Sequence, residues 1–388
     1  MIEHIHLSPY HLPYAAPFAT SRGASDAREG VIVRLLAGGH EGLGEAAPVP
    51  GWGQGDAADA LRLLEALAPR LAGRTLDEAD ALLAGLDRRQ PGALAAACAL
   101  DTALLDLRAR AAGVPLWALL ARGERQRAHA GWISDDDVRN RDALRSAFIA
   151  GRRPIPVNAT VGAAETAAAC AAARRAVADG FGCIKLKVGM AGSPTAELAR
   201  IAAVREAIGP GVALRLDANG AWTPEAALAI LRDAARYGIE YCEQPVSAGD
   251  VAGMARVRAG AGVPLAADEA LAGPEDALRI AAAAAADVLI VKPMTAGGLR
   301  PALDVIAIAR AAGLRAVVTT TIDSGVGCAA ALHLAAALPA PRPHCGLATG
   351  RLLAGDLLAR PLRIEHGAMP LPAGPGLGVE LAERWPAR

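Results

Sequence analysis

The sequence predicts an α/β protein, a parallel (β/α) barrel preceded by a smaller α+β domain. Three observations carry that expectation. From Ile155 onward, short runs rich in β-branched residues alternate with longer Ala/Leu/Arg segments at helical spacing. Strands that alternate with helices must pair in parallel through crossovers. No glycine-rich phosphate-binding fingerprint opens the first unit and the spacing stays regular, so closure into a barrel is simpler than an open dinucleotide-binding sheet.

The elements follow in order. Residues 1–125 are expected to form an α+β capping domain, because VIVRL (31–35) alternates as a strand does and 56–120 reads as helices. Gly42 and Gly44, before Glu45, read as turn chemistry. Residues 126–154 are charged, with one weakly amphipathic helix starting behind Asp135, Asp136 and Asp137. They exceed the usual length of a connection and read as an inserted surface segment. Barrel strands are expected at 155–161, 183–189, 213–219, 240–245, 264–270, 287–293 and 315–321, with a weaker eighth at CGLATG (345–350). Helices such as 224–236 and 297–312 lie between them. The barrel thus spans 155–350, and 351–388 closes it and returns to the cap.

The composition excludes several classes. Forty Lys+Arg balance 40 Asp+Glu, so there is no global attraction to nucleic acid or anionic lipid. A 53% hydrophobic content supports a large core, whereas 3% aromatic is too little for base-stacking platforms. Six scattered cysteines, with no Cys-x-x-Cys pair, read as buried thiols in a reducing compartment. The N-terminus has no basic start followed by an apolar run, and the Ala-rich stretches are broken by charges. A cytoplasmic protein without nucleic-acid or membrane partners is expected; homo-oligomerisation is left open.

The chemistry lies at the strand ends. Lys185 and Lys187 are two apart and face the same side of their strand, with Ile184, Leu186 and Val188 on the other. Asp217, Glu243, Asp268 and Lys292 follow, each 24 to 30 residues after the last, one strand–helix unit each time. In a barrel all of them fall on the C-terminal rim, where active sites form. Three converging carboxylates repel one another unless neutralised, and hard oxygen ligands suit Mg²⁺, with Mn²⁺ as a substitute. As separate helix caps or solvated strand ends they would have no reason to recur in register. A lysine at such a mouth can act as a base if burial and neighbouring cations lower its pKa. The alternative, that the lysines merely pair with the carboxylates, leaves their placement on both sides of the acidic row unexplained. Glu269 points the other way on its strand and has at most a supporting role.

In this order, the Lys-x-Lys pair, LDANGAW, EQP, ADEA and VKP resemble the enolase superfamily, specifically its muconate-lactonizing-enzyme-like subgroup. The resemblance extends to GLGEAAPVPGWG (42–53) and MPLPAGPGLGVEL, and covers nearly the whole chain. It implies an enolase-type barrel with an N-terminal cap, Mg²⁺ on Asp217, Glu243 and Asp268, and Lys187 and Lys292 on opposite faces of the substrate, with Lys185 beside them. The shared step it implies is removal of a proton α to the carboxylate of a small carboxylate substrate, with the enediolate charge held by the metal. Mandelate-racemase-like members place a histidine after strand seven; here that strand reads VVTTTIDSG, and His333 falls in the next helix.

Within the lysine subgroup, segments 17–30, 155–162, 319–327 and 345–357 look most like o-succinylbenzoate synthases of menaquinone biosynthesis. That resemblance implies a lyase that dehydrates 2-succinyl-6-hydroxy-2,4-cyclohexadiene-1-carboxylate in a syn elimination. Arg22, Trp52, Thr320 and the backbone donors of Ser324 and Gly325 are the expected substrate-binding groups. N-succinylamino-acid racemase or dipeptide epimerase is the alternative, then a muconate-type cycloisomerase. Asp323 stands where some epimerase-like relatives read an amino group.

Overall fold

A computed structural model describes residues 1–20, 23–49, 54–126 and 153–383. The expected surface segment 126–154 therefore lies almost wholly outside the described residues, as does its helix. The N-terminal part is an antiparallel sheet of β1 (Ile2–Thr20), β2 (Gly23–Ala37) and β3 (His40–Ala46), in that order. Helices α1 (Ala57–Leu71), α2 (Leu76–Ala84), α3 (Ala93–Ala112) and α4 (Leu116–Gln126) follow. The starts of α1 and α2 are written in the sequence as capping boxes, Asp56 with Asp59 and Thr75 with Glu78.

Gly42 and Gly44 are not turn residues. They lie within β3, where a Cβ on Gly42 would stand 2.2 Å from the Ala103 carbonyl oxygen and one on Gly44 1.8 Å from that of Ala99. The glycines let β3 lie directly on α3, the close backbone approach for which a strand uses glycine.

The barrel begins with β4 (Ile155–Pro156) and β5 (Ala159–Val161); the single strand expected over 155–161 is broken in two. Seven parallel strands then stand side by side, β5, β6 (Cys183–Lys187), β7 (Ala213–Asp217), β8 (Ile239–Glu243), β9 (Leu265–Ala267), β10 (Val288–Val291) and β11 (Arg315–Val318). Helices α5 (Thr166–Ala178), α6 (Pro194–Ile208), α7 (Pro224–Ala234), α8 (Val251–Gly260), α9 (Pro274–Ala282), α10 (Pro293–Ala296), α11 (Leu299–Ala311) and α12 (Gly325–Ala337) complete the units.

The weak eighth strand is two residues long. Cys345 bonds to the backbone of Pro156 and Asn158, and Gly346 to that of Val318 and Thr320, joining β11 to the first strand; 348–352 is a 3₁₀ turn. A two-residue closure has no periodicity for a sequence to display, which explains its faint signal. β12 (Ala368–Met369) pairs with β4, and the C-terminal segment reaches the cap where Leu377 N–H donates to Asp106 at 2.7 Å.

Two cores result. Ile184, Leu186, Leu214 and Leu216 face outward onto the helices, fully buried, while Tyr241, Ala266, Val288, Ile290 and Val317 fill the barrel interior. Arg215 plugs the interior beneath the mouth, stacked 4.7 Å from the Tyr241 ring and paired with Glu240 at 2.8 Å. All six cysteines are free thiols, five of them buried and Cys170 half-buried. Among the described residues no helix is long and apolar enough to cross a membrane.

Candidate active site

Strand register places the reactive groups. Lys187 of β6 lies opposite Asp217 of β7, and Asp217 opposite Glu243 of β8, so one row of side chains crosses three adjacent strands. Asp268 comes directly after β9 and Lys292 directly after β10. All six candidates meet at the C-terminal mouth. Lys185 Nζ lies 2.9 Å from Asp217 Oδ2 and 3.0 Å from Glu243 Oε1. Lys187 Nζ lies 2.7 Å from the same Asp217 oxygen and donates to Asn219 Oδ1 at 2.6 Å. On the other side Lys292 Nζ stands 2.5 Å from Asp268 Oδ1. The Gln244 side-chain oxygen accepts from the N–H groups of Asp268 and Ala270, tying the ends of β8 and β9 together.

The electrostatics follow from burial. Four carboxylates, Asp217, Glu243, Asp268 and Glu269, meet three lysines. Burial raises the Asp217 pKa, but Lys185 and Lys187 outweigh it and hold that carboxyl well below the usual carboxylate range. Glu243 has less compensation: burial, then the Asp217 charge, push it up to about 8. For Lys185 and Lys292 burial favours the neutral amine, yet the facing carboxylates win and raise both. The protein's own groups therefore do not bring Lys185 or Lys292 toward neutrality; that requires further positive charge on the same carboxylates.

The donor set fits a hard divalent cation. Asp217, Glu243 and Asp268 are buried oxygen donors at the ends of successive strands, and burial with the Asp217 charge pushes Glu243 toward protonation beyond what Lys185 offsets. In the present side-chain arrangement the lysine ammonium groups sit on those oxygens, and among the described residues no three acidic, histidine or cysteine side chains close on one point.

Beside Asp268, Glu269 and Lys292 a cavity of ≈ 450 Å³ opens toward the cap, with Arg88, Gln90 and Gln54 on its far wall. Of the expected substrate-binding groups, Arg22 and Trp52 lie outside the described residues. Thr320 is buried, its hydroxyl 2.5 Å from that of Thr349. The Ser324 and Gly325 donors are not free for substrate. Ser324 gives its N–H (2.9 Å) and hydroxyl (2.6 Å) to Glu45, and Gly325 N–H donates to Asp356 Oδ1 at 2.8 Å. The start of α12 thus binds carboxylates of the protein itself. Asp323 is 2% exposed, accepts from the Thr321 hydroxyl at 2.5 Å and lies 4.0 Å from Arg28, so it is spent inside the fold.

Sequence reasoning passed over Asn219, Arg28 and Glu45. Asn219 accepts from Lys187, donates to Glu269 Oε1 at 3.0 Å, and has a left-handed backbone (φ 45°). Its signal was available, since asparagine is among the few residues at ease there. Arg28 and Glu45 act across 294 and 279 residues of chain, and no local pattern reports such contacts.

Comparison with known proteins agrees with this architecture. Residues 168–385 match the family described as Enolase C-terminal domain-like, and residues 3–121 match the Mandelate racemase / muconate lactonizing enzyme, N-terminal domain. The chain is 42% identical to an o-succinylbenzoate synthase of Thermobifida fusca over 221 residues, covering 57% of this chain and 67% of the relative. It is 32% identical to muconate cycloisomerase 1 of Rhodococcus opacus, covering 90% and 88%. The dipeptide epimerase of Enterococcus faecalis V583, solved with Mg and the dipeptide L-Leu-L-Tyr, superposes with a TM-score of 0.83 at 27% identity, covering 97% of this chain and 99% of that one.

Proposed function

The chain belongs to the enolase superfamily, with the two domains of its mandelate racemase and muconate lactonizing enzyme branch, and on that footing we propose that it is an o-succinylbenzoate synthase. The observation that carries this choice is the 42% identity with the Thermobifida fusca synthase, against 32% for the cycloisomerase. Burial of Asp323 beneath Thr321 and Arg28 also removes the carboxylate that an epimerase reading would use to bind an amino group.

In this reading Asp217, Glu243 and Asp268 would hold Mg²⁺, which when bound supplies a Lewis acid for the charge that develops on the substrate carboxylate. Lys187 takes the α-proton on Nζ, aimed by Asp217 and Asn219. The C–O bond to the ring hydroxyl then breaks, the same Nζ returns the proton to the departing oxygen, and water leaves as the ring becomes aromatic. Lys292, as an ammonium 2.5 Å from Asp268, faces the charge from the other side.

That placement of two lysines on opposite sides of the acidic row also supports racemisation, which is the second reading. The purified protein should, with Mg²⁺, consume 2-succinyl-6-hydroxy-2,4-cyclohexadiene-1-carboxylate, followed by absorbance, and chelation should stop it. Inertness toward that compound, together with exchange of the α-proton of N-succinylamino acids for deuterium, would replace the synthase reading with the racemase.

A further inference from the structure

Arg28 reaches from β2 of the cap into the loop that follows barrel strand β11. It is 2% exposed. Its Nε donates to the Ile322 carbonyl at 3.0 Å and one terminal nitrogen to the Pro48 carbonyl at 2.5 Å. The other donates to the Ala47 carbonyl and lies 3.4 Å from the Thr321 hydroxyl. One guanidinium therefore joins the segment that leads from β3 toward Gln54, at the cavity wall, to the loop that carries Thr320 and Thr321.

Two further observations concern the same loop. Ile322 has φ +66°, a left-handed conformation that a β-branched side chain adopts only when its surroundings impose it. Its carbonyl is the group Arg28 holds. Three donors beyond it, the Ser324 N–H and hydroxyl and the Gly327 N–H, are taken by Glu45, which also accepts from the Tyr10 hydroxyl at 2.5 Å. The loop is thus strained locally and restrained from the cap in its middle, at Thr321 and Ile322, and at its C-terminal end, at Ser324.

We propose that Arg28 is a positioning residue for the reaction at the barrel mouth: it holds the strained Thr319–Ser324 loop in register with the cap, and through that loop sets how substrate is seated. The proposal rests on the reading of the mouth as the catalytic site, whichever substrate of the family is turned over. A lysine cannot replace it, since a single ammonium lacks the planar fork that reaches acceptors on both sides. Glycine at position 322 would adopt the left-handed conformation without being held.

The test compares Arg28→Lys, Arg28→Met and Ile322→Gly, alone and combined, in the full chain. Backbone hydrogen exchange is read without substrate. In Arg28→Lys the amides of residues 319–327 should exchange at least tenfold faster, while those of β6 to β10 keep their protection. With whichever substrate the wild type consumes, KM should rise at least tenfold and kcat change less. Adding Ile322→Gly should recover at least threefold of the KM loss, which a general loss of stability would not do. If Arg28→Met does not fold, Arg28→Lys carries the test. Unchanged loop exchange in Arg28→Lys, a KM within threefold of wild type, or no recovery on adding Ile322→Gly would each overturn the proposal. A wild type inert toward the cyclohexadiene but active on an amino acid overturns only the synthase reading, because the exchange measurement needs no substrate.

Discussion

Acidification should separate His333 from the rest of the protein. This histidine is fully buried in α12 and joins three parts of the chain. Its Nδ1 accepts the Trp117 N–H of α4 at 3.0 Å, so Nε2 must carry the ring proton, which it gives to the Leu377 carbonyl at 3.0 Å. A second proton has no place to go. Burial lowers the pKa from 6.5 to about 4 despite the bond to Leu377. Below pH 6.5 the unfolded chain takes up a proton that the fold refuses, so stability present above 6.5 is lost as pH falls toward 4. At 1.36 kcal/mol per unit, that window is worth about 3 kcal/mol.

The wild-type curve alone will not reveal it. Asp323, raised to about 6 by burial and Glu45, acts with the opposite sign, since its folded form binds a proton more readily and gains stability on acidification from 6 toward 3.8. The two contributions are similar in size, and their sum is nearly flat. The difference between wild type and His333→Gln isolates the histidine. Measured by urea unfolding, it should shift by about 3 kcal/mol in the variant's favour between pH 7 and pH 4. Imidazole ¹⁵N shifts should show a neutral Nε2–H tautomer down to pH 5. A difference that stays constant with pH, or a ring protonated at pH 5.5, would refute the reasoning.

Two further outcomes follow from contacts already described. Lys187→Ala should lower turnover by roughly 10²–10⁴-fold with an unchanged circular dichroism spectrum, the range for loss of a general base; turnover at the wild-type rate would remove Lys187 from the chemistry. Gly44→Ala would put a methyl group 1.8 Å from the Ala99 carbonyl oxygen. Chemical denaturation should register about 3 kcal/mol of destabilisation or failure to fold, whereas Gly39→Ala, with nothing within 4 Å, should cost less than Gly44→Ala despite its φ of +74°.

How much of this was legible in the sequence depends on the range of the contact. The rim positions of Lys185, Lys187, Asp217, Glu243 and Asp268 were legible, because each sits in or directly after a short apolar run at a regular interval and the barrel rule assigns every run the same rim. Gly42 and Gly44 were misread, because the reason for them is Ala103 and Ala99 of α3, far away in the chain, and a glycine in a strand looks the same whether it turns or makes room. Ser324 and Gly325 were expected to bind a carboxylate of the substrate. The carboxylates proved to be Glu45 and Asp356, because a sequence shows that donors exist and not which acceptor reaches them first.

The site's specificity for geometry rests on register more than on any single side chain. Lys187, Asp217 and Glu243 share a row only because β6, β7 and β8 are paired at those residues. A slip of one residue in β7 would turn Asp217 outward onto the helices and bring Leu216 or Ala218 into the row, since successive side chains point to opposite faces. The buried pattern forbids that slip. Leu214 and Leu216 are fully buried against the helices, and Arg215 fills the interior with its charge met by Glu240 and the His344 carbonyl. Moving either set would expose leucine to the charged mouth and strand a guanidinium among apolar helices. The hydrophobic alternation that folds the barrel is therefore the same constraint that aligns its acids and lysines, and the acidic row can carry repelling charges because the core beneath it does not allow them to move apart.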